Sequence, residues 1–250
     1  MQIDVIDLRE FYSRPLGAVA RRLVGARIRE RWGNVSGMSV FGLGYTTPYL
    51  GIFRGEAERM GALMPAGQGV ITWPEMGPMQ TALVDDQALP LPDASADRLL
   101  IVHGLESSDS IRVLLREAWR VLSPDGRLLL VVPNRRSIWS FFEHTPFGHG
   151  RPFSRGQLTH LLRDAMFTPL EWDQALFLLP INWQLGLKWA NAWERIGSLL
   201  WPAFPGVILV EAGKQIYAAA PSYGLETVRG RLSPVPAGFA LPRRGRNPRG

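Results

Sequence analysis

The sequence has no cysteine and no long uninterrupted apolar run. Without cysteine, disulfides, thiolate metal sites and cysteine nucleophiles are excluded, and the redox compartment cannot be judged from cysteine usage. The longest apolar stretch, residues 176–210, is interrupted by Lys188, Glu194 and several prolines, so no transmembrane segment is predicted. The N-terminus carries acids and lacks the apolar segment of a secretory signal, which predicts a cytoplasmic protein.

Excess basic charge is confined to the C-terminal end of the chain. The formal net charge is +6, and six arginines lie between Arg229 and Gly250, where there is no acidic residue. Removing these six from the 28 basic residues leaves 22, which balances the 22 acidic residues. Residues 226–250 are rich in Pro, Gly and Arg and are predicted to form a disordered basic tail. A nucleic-acid partner is not expected; a tail that binds phosphate or a protein is the alternative.

Apolar residues follow two periods along the chain. Residues 7–32 carry them at helical spacing, which predicts one N-terminal helix. Strand character is found in MSVFGLG, ERMGALMPAG with QGVITWP, MQTALVDD and GVILVEAGKQIYAAA. ADRLLIVHGLE and GRLLLVVPN are the continuous apolar runs of strands that are covered on both faces. Strands that alternate with helices predict an α/β fold with a mostly parallel sheet.

Two helices between these strands have recognisable ends. Residues 107–122 present one apolar stripe, with serines that can cap its start and Pro124 to Gly126 to stop it. Ser154, with Gln157 three residues later, has the spacing of a capping box at the start of the second helix.

Three stretches between Val40 and Phe167 are more specific than their periodicity. LVDDQALPLPDASADRLLIVHGLE contains an acid, an A-L-P-x-P turn and an apolar strand. LLREAWRVLSPDGRLLLVVPN contains a helix, a Pro-Asp-Gly turn and a strand, and PFSRGQLTHLLRDAMF contains the capped helix. In this order they cover about half of the chain and resemble the class I S-adenosylmethionine-dependent methyltransferases of the small-molecule type.

The resemblance implies the class I methyltransferase fold, a Rossmann-like, seven-stranded, mostly parallel sheet with helices on both faces and a reversed final hairpin. This domain is expected over residues 37–225, after an N-terminal helical cover at residues 1–36. A Trp-rich embellishment is expected at about residues 172–205. Its tryptophans are interpreted as packing residues or, alternatively, as a surface for a protein partner, a second copy of the chain or a membrane. They are Trp172, Trp183, Trp189, Trp193 and Trp201.

The resemblance also implies S-adenosylmethionine as the cofactor, bound where the carboxyl ends of the strands meet. The first strand of the family ends acid-x-Gly-x-Gly-x-Gly, and the corresponding residues here are Gly42, Gly44, Thr46 and Pro48. Only Gly44 is in register with a family glycine, and Gly42 has no carboxylate for the amino group of the ligand. Tyr45 and the backbone amides of residues 43–46 are predicted to replace the lost contacts.

The remaining cofactor contacts match the family unevenly. Met64, at the end of the second strand, offers no carboxylate for the ribose hydroxyls. Asp85, five residues before Pro90, matches the family's acid for the adenine amino group, and Asp86 is the near alternative. The predicted cofactor-binding residues are Gly42, Leu43, Gly44, Tyr45, Thr46, Met64, Asp85, Asp86, Gln87 and His103.

Histidines supply the candidate catalytic group. His103 follows the strand LLIV at the ligand mouth and is predicted to act as a base or to line the ligand, because imidazole titrates near neutrality. The alternative is a hydrogen-bonded structural histidine, and Glu106 either pairs with it or begins the next helix. His144 and His149 lie in a loop that helps to close over substrate in the family. Their spacing with Glu143 is too unspecific to predict a metal.

Two functions remain open at this stage. The favoured one is transfer of a methyl group from S-adenosylmethionine to a small-molecule acceptor. The alternative is a methyltransferase-like protein without transfer activity, which acts as a binding or regulatory partner through its aromatic surface. Nucleic-acid modification would rest only on the tail arginines, and VHGLESSD stands where that class has an Asn-Pro-Pro-aromatic motif.

Overall fold

The structure is a computed structural model that describes residues 3–142, 144–178, 180 and 205–216. Within these residues the chain forms five α-helices and seven strands. The helices are α1 Val5–Ser13, α2 Pro15–Trp32, α3 Thr47–Leu50, α4 Ile111–Val121 and α5 Arg155–Asp164. The strands are β1 Ser39–Gly44, β2 Arg59–Pro65, β3 Thr81–Val84, β4 Ala96–Val102, β5 Leu122–Pro133, β6 Phe167–Ala175 and β7 Val207–Lys214.

The strands form one sheet in the order β3-β2-β1-β4-β5-β7-β6. The pairs from β3 to β5 are parallel, and β7 runs antiparallel to both β5 and β6. This confirms the predicted seven-stranded, mostly parallel sheet with a reversed final hairpin. The strand order reverses between β1 and β4, so the carboxyl ends of these two strands flank the crevice in which such sheets bind ligands.

Helices cover both faces of the sheet, as predicted. Leu100 and Val102 of β4 pack with the apolar residues of α1 and α2, whereas Leu99 and Ile101 pack with those of α4 and α5. Successive side chains of a strand point to opposite faces, so a strand buried on both sides must be apolar at every position. The continuous apolar run in β4 is therefore explained by the two helical layers.

The N-terminal prediction of one helix over residues 7–32 is wrong in one respect. The chain forms two helices, and Arg14 between them has an extended backbone with ψ 158°. The residue before a proline is disfavoured in the helical conformation, so Pro15 ends α1 and begins α2. Tyr12, near the end of α1, lies at the carboxyl edge of the sheet, where its hydroxyl is 2.8 Å from His103 Nε2.

Two other local predictions are also corrected, and one is confirmed. Helix α4 ends at Val121, before the predicted stop, because β5 begins at Leu122 and already includes Pro124 to Gly126. The stretch QGVITWP is not a strand; it belongs to the connection between β2 and β3. The capping box of α5 is present: Gln157 N donates to Ser154 Oγ at 3.3 Å, and Ser154 N donates to Gln157 Oε1 at 2.9 Å.

Part of the tryptophan-rich segment can be placed. Trp172 lies in β6, half-buried, with the Arg155 guanidinium 4.7 Å from the centre of its ring. The segment predicted from about residue 172 therefore begins inside a strand. The other four tryptophans and residues 226–250 lie outside the described residues, so the predicted surface and tail stay predictions. None of the described helices combines the length and the hydropathy needed to cross a bilayer.

Candidate active site

The predicted site residues lie where the parallel strands end. Tyr45 and Thr46 follow β1, Asp85 to Gln87 follow β3, and His103 follows β4. Because β3, β2, β1 and β4 are parallel neighbours, these residues share the carboxyl edge of the sheet. The sequence prediction that they lie on one edge is therefore met by the topology.

The loop after β3 presents two carboxylates in different ways. Asp85 is exposed, and its Oδ1 accepts a hydrogen bond from Gln87 N at 2.8 Å, which fixes a tight turn. Asp86 is half-buried, and its Oδ2 accepts from Ser108 Oγ at 2.7 Å, which ties this loop to the segment after β4. Asp85 is thus the carboxylate that faces outward, while Asp86 holds the two loops together.

Arg120 of α4 donates hydrogen bonds to residues further along the same loop. Its guanidinium donates to Leu91 O at 2.9 Å, to Leu89 O at 2.9 Å and to Asp93 Oδ1 at 2.7 Å. Glu117 accepts from Arg120 Nη2 at 2.7 Å and from Leu89 N at 2.9 Å. The hydrogen bond from Arg120 lowers the pKa of Glu117, and that bond raises the pKa of Arg120. Sequence reasoning missed this clamp, although Glu117 and Arg120 have the i,i+3 spacing of a helical ion pair.

Gly44 at the end of β1 is required by the sheet itself. It has φ +88°, and a side chain here would overlap Val102 O and lie 2.9 Å from Gly104 N. Tyr45 N donates to Val102 O at 2.9 Å, and Thr46 N donates to Gly44 O at 3.0 Å. The N–H groups of Tyr45 and Thr46 therefore have protein partners, and the contacts of these amides with a ligand stay a prediction.

Gly42 and Thr46 share one space. Gly42 lies inside β1, and a Cβ on it would overlap Thr46 Oγ1 and lie 2.6 Å from Thr46 Cβ and 2.9 Å from Leu50 Cδ1. In the family pattern these positions hold an acid and a glycine, so the side chain has moved from the first position to the second. Thr46 Oγ1 is buried and has no hydrogen-bond partner among the described residues. In the altered motif, the side chain of Thr46 therefore fills the space of a side chain at position 42.

Tyr45 is stacked on another protein ring. Its ring lies 5.6 Å from that of Tyr12 in α1, at an interplanar angle of 25°, and the Tyr12 hydroxyl lies 2.9 Å from the Tyr49 hydroxyl. Burial raises the pKa of Tyr12, and burial also raises the pKa of Tyr49 and of Tyr45. These hydroxyls stay protonated at neutral pH. Periodicity placed Tyr12 on the N-terminal helix but gave no signal that it reaches the site.

His103 is buried and has a hydrogen-bond partner at each nitrogen. Its Nε2 lies 2.8 Å from Tyr12 OH, and its Nδ1 lies 3.2 Å from Glu106 Oε1. His103 thus joins Tyr12 to Glu106, and the Tyr12 hydroxyl also contacts that of Tyr49. The residue has φ +54°, which marks a tight exit from β4. His103 is thus the hydrogen-bonded histidine of the alternative interpretation, and Glu106 pairs with it.

Gln68, from the connection after β2, links this group to the other side of β1. Its Nε2 donates to His103 O at 2.9 Å, and its backbone oxygen accepts from Val5 N of α1 at 2.8 Å. Since β1 lies between β2 and β4, this bridge crosses the end of β1. Met64 is fully buried beneath the same connection, and its Sδ accepts from Ile71 N at 3.4 Å. No sequence pattern singled out Gln68.

The acceptors at this edge complement the donors of S-adenosylmethionine. Gln68 Oε1 and Glu106 Oε2 are buried oxygens without a hydrogen-bond partner in the described part of the chain, as is Thr46 Oγ1. Buried polar atoms in native proteins are nearly always paired, so each of these three oxygens is available to accept a hydrogen bond. The cofactor has an adenine amino group, two ribose hydroxyls and an ammonium, all donors. The residues fit the cofactor through side-chain oxygens and the outward carboxylate of Asp85 rather than through a glycine cradle.

In the aromatic loop before α5, residues 141–154, the described side chains form no metal arrangement. His144 Nε2 lies 3.3 Å from Pro180 O, and Glu143 lies outside the described residues. No group of three or more His, Asp or Glu side chains among the described residues is placed to hold a metal ion.

Comparison with known proteins places the similarity in the middle of the chain. Residues 64–130 match the family described as "Methyltransferase domain". The match runs from the last two residues of β2 to most of β5. The ubiquinone/menaquinone biosynthesis C-methyltransferase UbiE of Caulobacter vibrioides is 41% identical over 70 residues. That alignment covers 28% of this chain and 25% of the relative, so the chain spans about a quarter of the curated relatives it matches.

Solved structures with the same fold cover more of the chain. A methyltransferase in the complex with the Haloferax volcanii Trm112 methyltransferase activator has a TM-score of 0.62 at 18% identity, covering 86% of this chain and 100% of that one. A SAM-dependent methyltransferase from Archaeoglobus fulgidus has a TM-score of 0.57 at 19% identity, covering 78% and 94%. Likeness at this identity shows the fold, and the family match implies S-adenosylmethionine as the cofactor. The chain thus has the fold of class I S-adenosylmethionine-dependent methyltransferases, and its residues 64–130 match the methyltransferase domain.

Proposed function

We propose that the protein transfers the methyl group of S-adenosylmethionine to a small-molecule acceptor, and that the cofactor binds across the carboxyl ends of β1 to β4. The observation that carries the proposal is the loop after β3. It lies inside the residues that match the methyltransferase domain, and Asp85 faces outward from it. Arg120, inside the same match, holds the loop with three hydrogen bonds to its residues.

Different residues of the carboxyl edge bind different groups of the cofactor. Asp85 accepts from the adenine amino group, and Thr46, Gln68 and Glu106 supply acceptors for the remaining donors. Tyr12 and Tyr45 stack beside this end and exclude water from it. The bound cofactor supplies a methyl group on a sulfonium, so the protein has to hold the acceptor in line and keep water out.

The acceptor is proposed only as a small molecule. The domain match ends at residue 130, before the aromatic loop that closes over substrate in the family resemblance. The C-methylation and the quinone pathway in the name of the relative belong to a protein of which this chain matches 25%. Neither is carried over to this chain.

Calorimetric titration with S-adenosylhomocysteine tests the proposal. We expect micromolar binding by the unaltered chain, about −8 kcal/mol. Asp85→Ala removes the adenine acceptor and is expected to weaken binding by about 10-fold or more, because a hydrogen bond to a charged group contributes about 1.5–3 kcal/mol. Asp125→Ala is the matched control, since Asp125 is exposed near the amino end of β5, at the opposite edge. It should bind like the unaltered chain.

The outcome also separates the two functions left open by the sequence. No binding up to millimolar ligand would contradict the proposal and support the partner protein without transfer activity. Equal binding by Asp85→Ala and Asp125→Ala would mean that the ligand uses a different part of the molecule.

A further inference from the structure

We infer that Glu106 binds the ammonium of the cofactor and replaces the acid that the family carries at the position of Gly42. The inference rests on the proposed function, because it assigns a residue within that same site. It moves one polar contact from the end of β1 to the segment after β4.

Position 42 has no room for a carboxylate. A Cβ at Gly42 would lie 2.6 Å from Thr46 Cβ and 2.9 Å from Leu50 Cδ1, both of which are buried. The volume in which an acid would begin is filled by Thr46. A ligand ammonium at this edge therefore needs a carboxylate from another element.

Glu106 is a carboxylate with one oxygen used and the other available. The side chain is 2% exposed; Oε1 lies 3.2 Å from His103 Nδ1, and Oε2 has no hydrogen-bond partner among the described residues. A buried carboxylate oxygen without a donor is unfavourable, so such an oxygen persists where a donor is supplied. An ammonium supplies both N–H donors and the opposite charge.

The fold holds Glu106 in place. Arg151 N donates to Glu106 O at 3.1 Å, and Gly150, with φ +74°, lets the aromatic loop approach so closely that a Cβ there would lie 2.7 Å from that oxygen. His103 fixes the other end of the side chain. Glu106 is therefore a preorganised carboxylate rather than a mobile surface group.

The place of Glu106 relative to the other acceptors agrees with a ligand that lies across β1. Gln68 reaches His103 from the β2 side, and Glu106 contacts the same histidine from the β4 side. Asp85 stands at the end of β3, on the far side of β2. A ligand with adenine at Asp85 thus has its amino-acid end towards β4, which is the side of Glu106.

Two ligands distinguish this role from a purely structural one. S-adenosylhomocysteine carries the ammonium, whereas 5′-methylthioadenosine keeps the adenosine and the sulfur but lacks the amino-acid end. Glu106→Gln keeps the size of the side chain and removes its charge. We expect Glu106→Gln to lower the affinity for S-adenosylhomocysteine by about 10- to 100-fold. The affinity for 5′-methylthioadenosine should change by less than about 3-fold, and both affinities are measured by calorimetry.

Tyr12→Phe is the matched control, because it removes the hydrogen bond on the other side of His103 and leaves Glu106 intact. It should change the affinities for both ligands by the same factor. Glu106→Asp keeps the charge on a shorter side chain and is the variant to test if Glu106→Gln does not fold. It should lower the affinity for S-adenosylhomocysteine and leave the affinity for 5′-methylthioadenosine unchanged.

An equal loss for both ligands, or no loss for either, would overturn the assignment of Glu106 while the proposed function stands. If the unaltered chain bound neither ligand, the proposed function itself would fail. The selective loss for the ligand with the ammonium is the result that supports the inference.

Discussion

The ends of β3 and β1 face the same crevice, and they are built by different means. After β3 the chain keeps the family's acid and the A-L-P-x-P turn that follows it. Asp85 begins a turn there, and Arg120 donates hydrogen bonds to the residues that follow it. At β1 the side chain expected at Gly42 is absent, and Thr46 fills its volume. Contacts there come from side chains that lie far away in sequence.

This difference explains where the family similarity lies. Residues 64–130 match the methyltransferase domain and include the whole β3 side of the crevice, whereas β1 lies outside the match. A loop that is held by its own backbone and one arginine needs a continuous sequence pattern. A turn that is held by residues of three other segments can lose its pattern while its edge keeps polar groups for a ligand.

The largest expected effect comes from the Gly42–Thr46 pair. Gly42→Ala places a methyl against Thr46 in a buried strand and is expected to lower the free energy of unfolding by about 2–3 kcal/mol in urea titration. Gly42→Ala with Thr46→Gly removes the two shortest contacts of the methyl and leaves the one at 2.9 Å to Leu50 Cδ1. The loss should therefore be smaller than the sum of the two single losses by at least about 1 kcal/mol.

Gly51→Ala is the control for added volume at a glycine, because nothing lies within 4 Å of a Cβ there. It should change the free energy of unfolding by less than about 0.5 kcal/mol. Additive losses at positions 42 and 46 would mean that the two residues do not exchange volume.

The next effect is on the β3 side. Arg120→Ala removes three hydrogen bonds to the loop after β3 and the partner of Glu117. We expect the free energy of unfolding to fall by about 2 kcal/mol, and affinity for S-adenosylhomocysteine to fall by about 5- to 10-fold, because the loop that carries Asp85 loosens. Arg116→Ala on the same helix, where the side chain is exposed, should leave both quantities unchanged. A loss of stability with unchanged affinity would show that the clamp does not position the site.

The smallest expected effect is a pH dependence of the free energy of unfolding, which comes from Tyr12 on the β1 side. The pKa of Tyr12 is raised by burial, so above about pH 10 the unfolded chain releases a proton that the folded chain keeps. The free energy of unfolding should therefore be level below pH 10 and fall as pH rises further, by up to about 1.4 kcal/mol per pH unit for each such tyrosine. Tyr12→Phe should make this decline shallower. An unchanged slope between pH 10 and 11 would place Tyr12 in a solvated environment.

Local patterns were enough to predict most of the sheet and to propose one end of the candidate site. The apolar runs gave β4 and β5 as strands buried on both faces, and Ser154 with Gln157 gave the start of α5. Asp85 could be assigned from its spacing to Pro90 because the loop after β3 is a continuous stretch of chain. Its outward carboxylate in the structure agrees with that prediction, whose test is the titration of Asp85→Ala.

The other end of the site depends on contacts that periodicity does not carry. Tyr12 and His103 are 91 residues apart, and the hydrogen bond between them joins the end of α1 to the end of β4. Gln68 lies in a connection without a pattern. Thr46 is predicted as a ligand contact from its register, but its burial against Gly42 depends on the path of the chain after β1. These residues could be identified only once the fold brought them together.

A crystal structure of the chain with S-adenosylhomocysteine would test the two-sided site most directly. The quantity to measure is the distance from the ligand amino nitrogen to Glu106 Oε2. We expect about 2.7–3.0 Å, with the adenine amino group on Asp85. An amino nitrogen held at the end of β1, away from Glu106, or an adenine bound away from Asp85, would contradict the division of the site between a retained β3 side and a rebuilt β1 side.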